Sequence, residues 1–242
     1  MPAPLVNVTL PVFNEEAQLA ASVGTVRDFL VNHAFNFEIV IANNGSTDRT
    51  PRLADELARD LSGVRVVHLL ERGRGRALRR VWTDSAADIL SYMDIDLSTD
   101  LEAFPALIEA VTTGGFDLAT GSRLLPQSRT TRSWNREIIS RAYNQLVRAA
   151  FKTRIADAQC GFKAIRREAA RELLPRVADN EWFFDTELLV WAERRGRRIA
   201  ELPVRWIEDR DSRVKLLPTA WADLQALRRL RRRIGGHSAA RT

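Results

Sequence analysis

The sequence predicts an α/β fold, with a mostly parallel central sheet covered by helices on both faces. Three observations carry that prediction. Apolar, β-rich runs alternate with stretches of helical spacing, and the connections between them are short. The composition, 45% hydrophobic and 28% charged over 242 residues, is that of a globular chain and excludes a disordered or collagen-like one. A chain of this length buries ~70% or more of its unfolded surface and needs no staples.

The first strand is Val6 to Val12. The segment from Asn14 to Ala34 reads as a helix, because Leu19, Val23, Val26 and Leu30 recur at helical spacing. Phe37 to Asn43 is a continuous apolar run of buried-strand character, closed by the turn cluster NGSTDRTP. Thr50-Pro51 then opens a helix in N-cap and N1 order. VRVVHLL from Val64 is a third strand, and the loop ERGRGR leads into a helix through Leu78 and Val81. A fourth strand, from Ile89, ends in the acidic loop IDLSTD, and Asp100 caps a helix to about Val111. FDLATGS from Phe116 is the fifth strand, and residues 124–134 read as an irregular, mobile loop. The second half adds a helix over 134–151, a strand near Gln159–Ile165, a helix over 183–195, a strand at Arg198–Val204 and a terminal helix. Residues 1–218 are expected to form one domain, and 219–242 a basic amphipathic helix and tail.

Ligands of open α/β sheets sit beyond the carboxyl ends of strands. Four strands end in polar clusters: Asn14-Glu15, Asn43 to Asp48, Asp94 to Asp100, and Gly121 to Arg123. In YMDIDLS, Asp94 and Asp96 close an apolar strand with Ser98 two residues further on. Paired carboxylates there suit a hard divalent cation, and an acidic pair closing a core strand is costly unless something cationic binds it. Asp209-Arg210-Asp211 has the same spacing but follows no apolar strand, and reads as loop.

The other motifs have two readings each. Asn43 and Asn44 suit nucleobase or ribose contact, with Gly45 allowing close approach, or simply form a strand-to-helix turn. RGRGR, with Arg74, suits phosphate through backbone N–H groups and guanidinium, or is an ordinary Gly-Arg loop. Arg136 and Ser140, at i and i+4, suit a phosphate held by a guanidinium and a hydroxyl, or simply lie on a solvated helix face. Asp185 and Glu187 complement a helix dipole or supply a general base. The aromatics Trp182, Phe183 and Phe184 read as core. Arg210, Arg213 and Lys215 around Ser212 suit a loop closing over diphosphate, or a solvated charge run.

Lys and Arg number 37 against 31 Asp and Glu, for a net charge of +6. Nearly all the bases are Arg, whose forked donors suit phosphates and carboxylates, so an anionic partner is expected beside the bland reading of genomic composition. Cys160 is alone and His33, His68 and His237 are far apart, which excludes a disulfide framework and argues against zinc hydrolysis. No run of ~18 apolar residues is present, and the N-terminus lacks a basic leader. A cytoplasmic protein is expected, peripheral at the inner face of the membrane. The terminal helix, with Trp221, Leu224 and Leu227 on one side and five arginines between 228 and 233, has the form of an anchor to anionic lipid.

Taken together and in order, LPVFNEE, IANNGSTD, YMDIDLSTD, GSR, RSWNREIIS, DAQCGFKA, FFDTELL, ELPVRW and DSRV resemble the family 2 glycosyltransferases. Within them the chain is most similar to the polyprenyl-phosphate and dolichyl-phosphate sugar synthases, and DLSTD with DAQCGFK resembles the glucosyltransferase branch. The resemblance covers roughly residues 5–220. It implies a GT-A fold, a nucleotide-diphosphate sugar donor, a polyprenyl phosphate acceptor and Mg²⁺ or Mn²⁺. Pro11, Asn14 and Glu15 match the opening nucleotide-binding segment, and Asn43 with Asn44 the base-reading turn. Asp94 and Asp96 match the metal motif, with Ser98 at a further metal or diphosphate contact. Arg123, Arg136 and Ser140 match acceptor-phosphate positions, and Arg210 and Arg213 the late basic loop.

Position 43 is Asn where the family usually has an acid. Gly73-Arg74-Gly75 and Ser212-Arg213 stand where lysines are usual, keeping the charge but altering its geometry. The reading that follows is inverting hexosyl transfer, glucose favoured, from a UDP-sugar to polyprenyl phosphate. A hydroxyl acceptor, with Asp185 or Glu187 as base, and a GDP-mannose donor are alternatives. A non-catalytic binder of polyanions is the remote one. Nucleic acid is not an expected partner, since a polyanion binder gains nothing from Asp94 and Asp96.

Overall fold

The computed structural model describes residues 3–208 and 216–239, with side chains for 3–208 and 222–235. Strands β1 (Val6–Val12), β2 (Phe37–Asn44), β3 (Val64–Leu69) and β4 (Ile89–Met93) alternate with helices α1 (Leu19–Asn32), α2 (Thr50–Asp60) and α3 (Arg74–Asp84). Helix α4 (Phe104–Thr112) and strand β5 (Leu118–Ser122) complete the first half. The second half contains β6 (Arg129–Thr131), α5 (Trp134–Phe151), β7 (Phe162–Arg166), α6 (Arg167–Leu173), α7 (Phe184–Arg194), β8 (Ile199–Pro203), β9 (Arg205–Ile207) and α8 (Leu216–Ala239).

The main sheet has the order β3-β2-β1-β4-β7-β5-β8. All its pairings are parallel except those of β7, which runs antiparallel between β4 and β5. Alternation along the strands sends Ile39 and Ile41 to one face and Val40 and Ala42 to the other, so an apolar run without polar gaps is what a doubly covered strand requires. One core lies under α1, α2 and α4, the other under α3 and α5 to α8. Because β1 pairs with β2 on one side and β4 on the other, the chain reverses its winding there. The crevice at the carboxyl ends of β1 and β4 is the expected ligand position.

Several elements differ from the sequence reading. Helix α1 begins at Leu19, because Asn14 takes a left-handed backbone (φ 56°) and turns the chain before it can wind. Thr50 is the first helical residue of α2 rather than its cap. Its hydroxyl faces inward and accepts the Glu15 N–H at 2.8 Å, while Asp48 Oδ1 takes the Thr50 N–H at 2.9 Å. Asp100 does cap, but what it caps is a 3₁₀ turn, Leu101–Ala103, ahead of α4. The stretch 124–134 contains β6, which pairs in parallel with β9. Helix α6 was not legible, being a single short amphipathic stretch run directly onto β7.

The terminal helix is a correction. It is not a separate appendage with a free apolar side: Ala226, Leu227, Leu230 and Ile234 are buried in the same core as α3, α5, α6 and α7. Each Leu or Ile so buried stabilises the packed helix by about 1.5–3 kcal/mol. Of the residues expected to face lipid, Leu227 is buried in this core, Leu224 is 38% exposed, and the side chain of Trp221 lies outside the described residues.

Candidate active site

The site is built at the carboxyl ends of β1, β2 and β4. After β1 and β2, two turns are stitched together by side chain to backbone bonds. Asn14 Oδ1 accepts the Thr47 N–H at 2.8 Å, and Ser46 Oγ accepts the Asn14 N–H at 3.0 Å. The left-handed backbone at Asn14 permits this return contact, which a β-branched residue would resist. Asn43 is buried and engaged at both ends of its amide. Its Oδ1 accepts from Ser46 N at 3.3 Å and its Nδ2 lies 2.9 Å from His68 Nδ1. His68 Nε2 in turn lies 3.0 Å from Asp55 Oδ1. A backbone N–H can only donate, so the Ser46 contact fixes which way the Asn43 amide points, and Asn43 acts first as the holder of the turn. Asn44 Oδ1 is buried with no hydrogen-bond partner. Pro11 lies in β1 beside Ala42.

Strand β4 delivers Asp94 and Asp96. The Asp94 N–H donates to Gly161 O at 3.1 Å, and a Cβ at Gly161 would stand 1.8 Å from Asp94 Oδ2, so only glycine leaves room for this carboxylate. Asp96 Oδ1 accepts the Ser98 N–H at 3.0 Å, and Ser98 Oγ is buried with no partner. Behind the pair sits a buried ionic cluster. Arg74 reaches Tyr92 OH at 2.7 Å, Asp185 Oδ2 at 3.2 Å and Asp94 Oδ1 at 3.4 Å, with its guanidinium between the rings of Trp182 (4.8 Å) and Tyr92 (5.0 Å). Asp185 Oδ1 accepts from Tyr92 OH at 2.5 Å and pairs with Lys163 Nζ at 3.2 Å.

Three carboxylates thus face two cations. Burial, with Asp96 and Asp185 adding repulsion that Arg74 and Lys163 only partly offset, pushes Asp94 up to about 6. Burial also disfavours the charged form of Arg74, but Asp94, Tyr92 and Asp185 outweigh it and hold the guanidinium above its ordinary value. The residual negative charge, two hard carboxylates and an orphaned hydroxyl at Ser98 fit a Mg²⁺- or Mn²⁺-type cation. Among the described residues no group of three or more His, Cys, Asp or Glu is placed to hold a metal ion, so protein supplies only part of such a shell.

Other expected residues are placed differently. Arg123 does not reach out as a free phosphate hook. Its Nε and NH2 bind buried Asp157 at 2.7 and 2.8 Å, because a buried guanidinium needs its own counter-charge. Arg136 pairs with Glu208 at 2.8 Å, at the end of β9, and shares α5 with Ser140 one turn on. The RGRGR loop turns Arg74 inward, and the Arg76 N–H is taken by Asn180 O. Asp185 has both carboxylate oxygens occupied, and Glu187 is buried with Oε2 accepting from Ala178 N and Asp179 N. Trp182 separates from Phe183 and Phe184: they are core, and it lies over Arg74 at the surface. Arg210 and Arg213 lie outside the described residues. The sequence reading missed Tyr92, Lys163, Asp157 and Gly161. A lysine inside the apolar run FKAI was the one available signal.

The doubly covered sheet with its crevice at the carboxyl ends of β1 and β4 is a GT-A fold, that of a glycosyltransferase. Residues 8–174 match the model of glycosyl transferase family 2, and the chain belongs to that family. It is 44% identical over 206 residues to glycosyltransferase AglD of Haloferax volcanii, covering 83% of this chain and 33% of that protein. It is 31% identical over 209 residues to dolichyl-phosphate beta-glucosyltransferase ALG5C of Trichomonas vaginalis (81% and 62% covered). The human dolichyl-phosphate beta-glucosyltransferase is 32% identical over 224 residues (85% and 68%). The chain spans a third of the archaeal relative's length and under two-thirds of the Trichomonas one. Its fold is shared with glucosyl-3-phosphoglycerate synthase from Mycobacterium tuberculosis, in complex with Mn²⁺, UDP and glucosyl-3-phosphoglycerate, at a TM-score of 0.71 and 22% identity, over 94% of this chain and 80% of that one.

Proposed function

We propose that this glycosyltransferase moves a hexosyl group, glucose favoured, from a UDP-sugar to a polyprenyl phosphate, with inversion in one displacement. The observation that carries the reading is the state of Asp185. Tyr92, Lys163 and Arg74 occupy both of its oxygens, so it is poorly placed to take a proton from an acceptor. A hydroxyl acceptor needs such a base, whereas a phosphate is anionic at neutral pH and needs only positioning and charge screening. The dolichyl-phosphate relatives supply the acceptor class, and the glucosyltransferase names among them the sugar.

In this reading a phosphate oxygen of the acceptor attacks the anomeric carbon, the bond from that carbon to the diphosphate breaks, and UDP leaves with the electron pair. Asp94, Asp96 and Ser98 would hold the divalent cation, which when bound screens charge on the leaving diphosphate. Arg74 adds fixed positive charge beside them, and Asn14, Glu15, Asn43 and Asn44 shape the donor pocket with Pro11. Arg136, whose partner Glu208 is near the surface, and Ser140 take the acceptor phosphate, joined by Arg210. Arg213, outside the described residues, is assigned to the donor side by its match to the family's late basic loop. Arg123 supports from behind Asp157.

No described helix is long and apolar enough to cross a membrane. Peripheral attachment to a membrane surface, the inner face in this reading, draws on α5, which exposes Trp134 (80%), Ile138 (57%), Ile139 and Leu146 beside the proposed acceptor residues. Arg228, Arg231 and Arg232 on the outer side of α8 add positive charge for anionic lipid.

The test offers radiolabelled UDP-glucose and GDP-mannose in parallel, with short-chain polyprenyl phosphate and Mg²⁺ or Mn²⁺. Metal-dependent label from UDP-glucose in the organic phase is expected. Label entering only hydroxyl acceptors, or only from GDP-mannose, overturns the acceptor or the donor assignment respectively.

A further inference from the structure

The contacts of α8 reach further than packing requires. Two irregular loops carry groups of the reaction centre, and side chains from elsewhere take part of the backbone of each: Glu201 and Asn144 accept from Ala156, Asp157 and Ala158, and Glu187 from Ala178 and Asp179. The first, 156–161, contains Asp157 and the Gly161 that faces Asp94, and Lys163 follows it. The second, 177–183, carries Trp182. It is laced onto the start of α3: Arg79 donates to Val177 O at 2.7 Å, Asp179 O at 3.0 Å and Asn180 Oδ1 at 2.7 Å, and the Arg76 N–H donates to Asn180 O at 3.1 Å. The approach is so close that a Cβ at Gly73 would stand 2.5 Å from Asn180 O, and one at Gly75 2.8 Å from Asp179 O. Moving this loop therefore moves Arg74.

Helix α8 grips both loops. Asp223 Oδ2 accepts from Gln159 Nε2 of the first at 2.9 Å. For the second, Arg229 pairs with Asp179 at 3.2 Å. Arg233 pairs with Glu187 Oε1 and donates to Arg176 O at 2.7 Å. The other oxygen of Glu187 takes the N–H groups of Ala178 and Asp179 at 3.0 and 2.8 Å. A cleft of about 240 Å³, lined by Asp179, Phe183, Glu187, Arg229 and Arg233 among others, lies between helix and loop. Packing there is incomplete, and hydrogen bonds and ion pairs fix the loop.

We propose that α8 is a positioning strap for the reaction centre: Arg233, through Glu187 and the 177–183 loop, sets Trp182 on Arg74 and so sets Arg74 against Asp94 and Asp185. Glu187 and Arg233 are positioning residues and touch no substrate. The inference rests on the sugar-transfer reading for its kinetic consequence, but its structural consequence is independent of it.

The test compares the full chain with Arg233→Ala and Arg233→Lys, using amide hydrogen exchange and transfer kinetics together, and with Arg59→Ala on α2 as a control. In Arg233→Ala, exchange at Ala178, Asp179 and Arg76 should accelerate by about tenfold or more while β1 and β2 stay protected. The turnover number should fall about tenfold with the acceptor KM unchanged, and Lys should restore most of it. Should Arg233→Ala fail to fold, Glu187→Gln keeps an acceptor for the two N–H groups, loses the ion pair, and should show the same pattern. Unchanged exchange at those three amides overturns the strap, as does a lowered unfolding midpoint with unaltered turnover per folded molecule. Wild-type protein that neither transfers sugar nor binds UDP defeats the functional reading instead, and the exchange result still decides on the strap.

Discussion

Asp94 and Asp157 are both placed against a buried arginine a few residues from a sheet strand, and they end in opposite states. Asp157 has Arg123 to itself. Two guanidinium nitrogens and the Arg123 and Gln159 N–H groups bind it, and although burial alone would raise it, they hold its carboxyl down at about 2. Asp94 shares Arg74 with Asp185 and lies beside Asp96, and burial pushes it up to about 6. The first is a completed pair, which a fold can use as structure. The second is one positive charge short, and that shortfall marks the place where a cationic ligand belongs.

The largest effect that sharpens this contrast is on stability. Asp157→Asn leaves Arg123 buried without its counter-charge and should cost about 3–5 kcal/mol in chemical denaturation at pH 7. Asp94→Asn, which relieves repulsion as it loses an attraction, should stay within about 1 kcal/mol of wild type. Because the Asp157 carboxyl is depressed, its stabilisation is complete above the ordinary aspartate value and is lost as pH falls through about 2. Next in size, Gly161→Ala drives a methyl into Asp94 and should lower turnover about 100-fold, equivalent to ~2.7 kcal/mol, in a protein whose unfolding is little changed. A Gly161→Ala enzyme with normal turnover would break the assignment of Asp94.

The smallest effect concerns Asp223, which burial pushes up to about 6 against the opposing bond from Gln159. Its contribution to stability is fully present below the ordinary aspartate value of 3.8 and is lost as pH rises through about 6. Asp223→Asn, which keeps an oxygen for Gln159, should therefore stabilise by about 1–2 kcal/mol at pH 7–8, and the gain should vanish near pH 4. A gain that is the same at pH 4 and pH 8 would show that this carboxyl is ionised without cost, and one that grows on acidification that the fold favours its ionised form.

The parallel half of the sheet and the acidic pair were legible because both are local. An apolar strand that runs into Asp94-Ile95-Asp96 announces its own end, and β1, β2 and β4 announce theirs in Asn14, Asn43 and Asp94. What pairs with what was not legible. Asp157 and Arg123, or Trp182 and Arg74, lie far apart in sequence and meet only through the sheet order. The antiparallel insertion of β7, which brings Lys163 beside Tyr92, has no local signature. Thr50 looked like a cap because Thr-Pro is an ordinary cap sequence, and only the Glu15 backbone shows why its hydroxyl turns inward. Helix α8 illustrates the same limit: its amphipathic pattern says that one face is covered, and protein covers Leu227, Leu230 and Ile234 of it while Leu224 stays exposed.

The central claim is that the Asp94–Asp96 end of β4 binds a divalent cation together with the donor diphosphate. Titration calorimetry of UDP into the protein, with and without Mn²⁺, tests it most directly when wild type is compared with Asp96→Ala. The account predicts UDP binding that requires the metal in wild type and is lost in Asp96→Ala, with the unfolding midpoint preserved. UDP binding that is indifferent to metal and survives Asp96→Ala would contradict it.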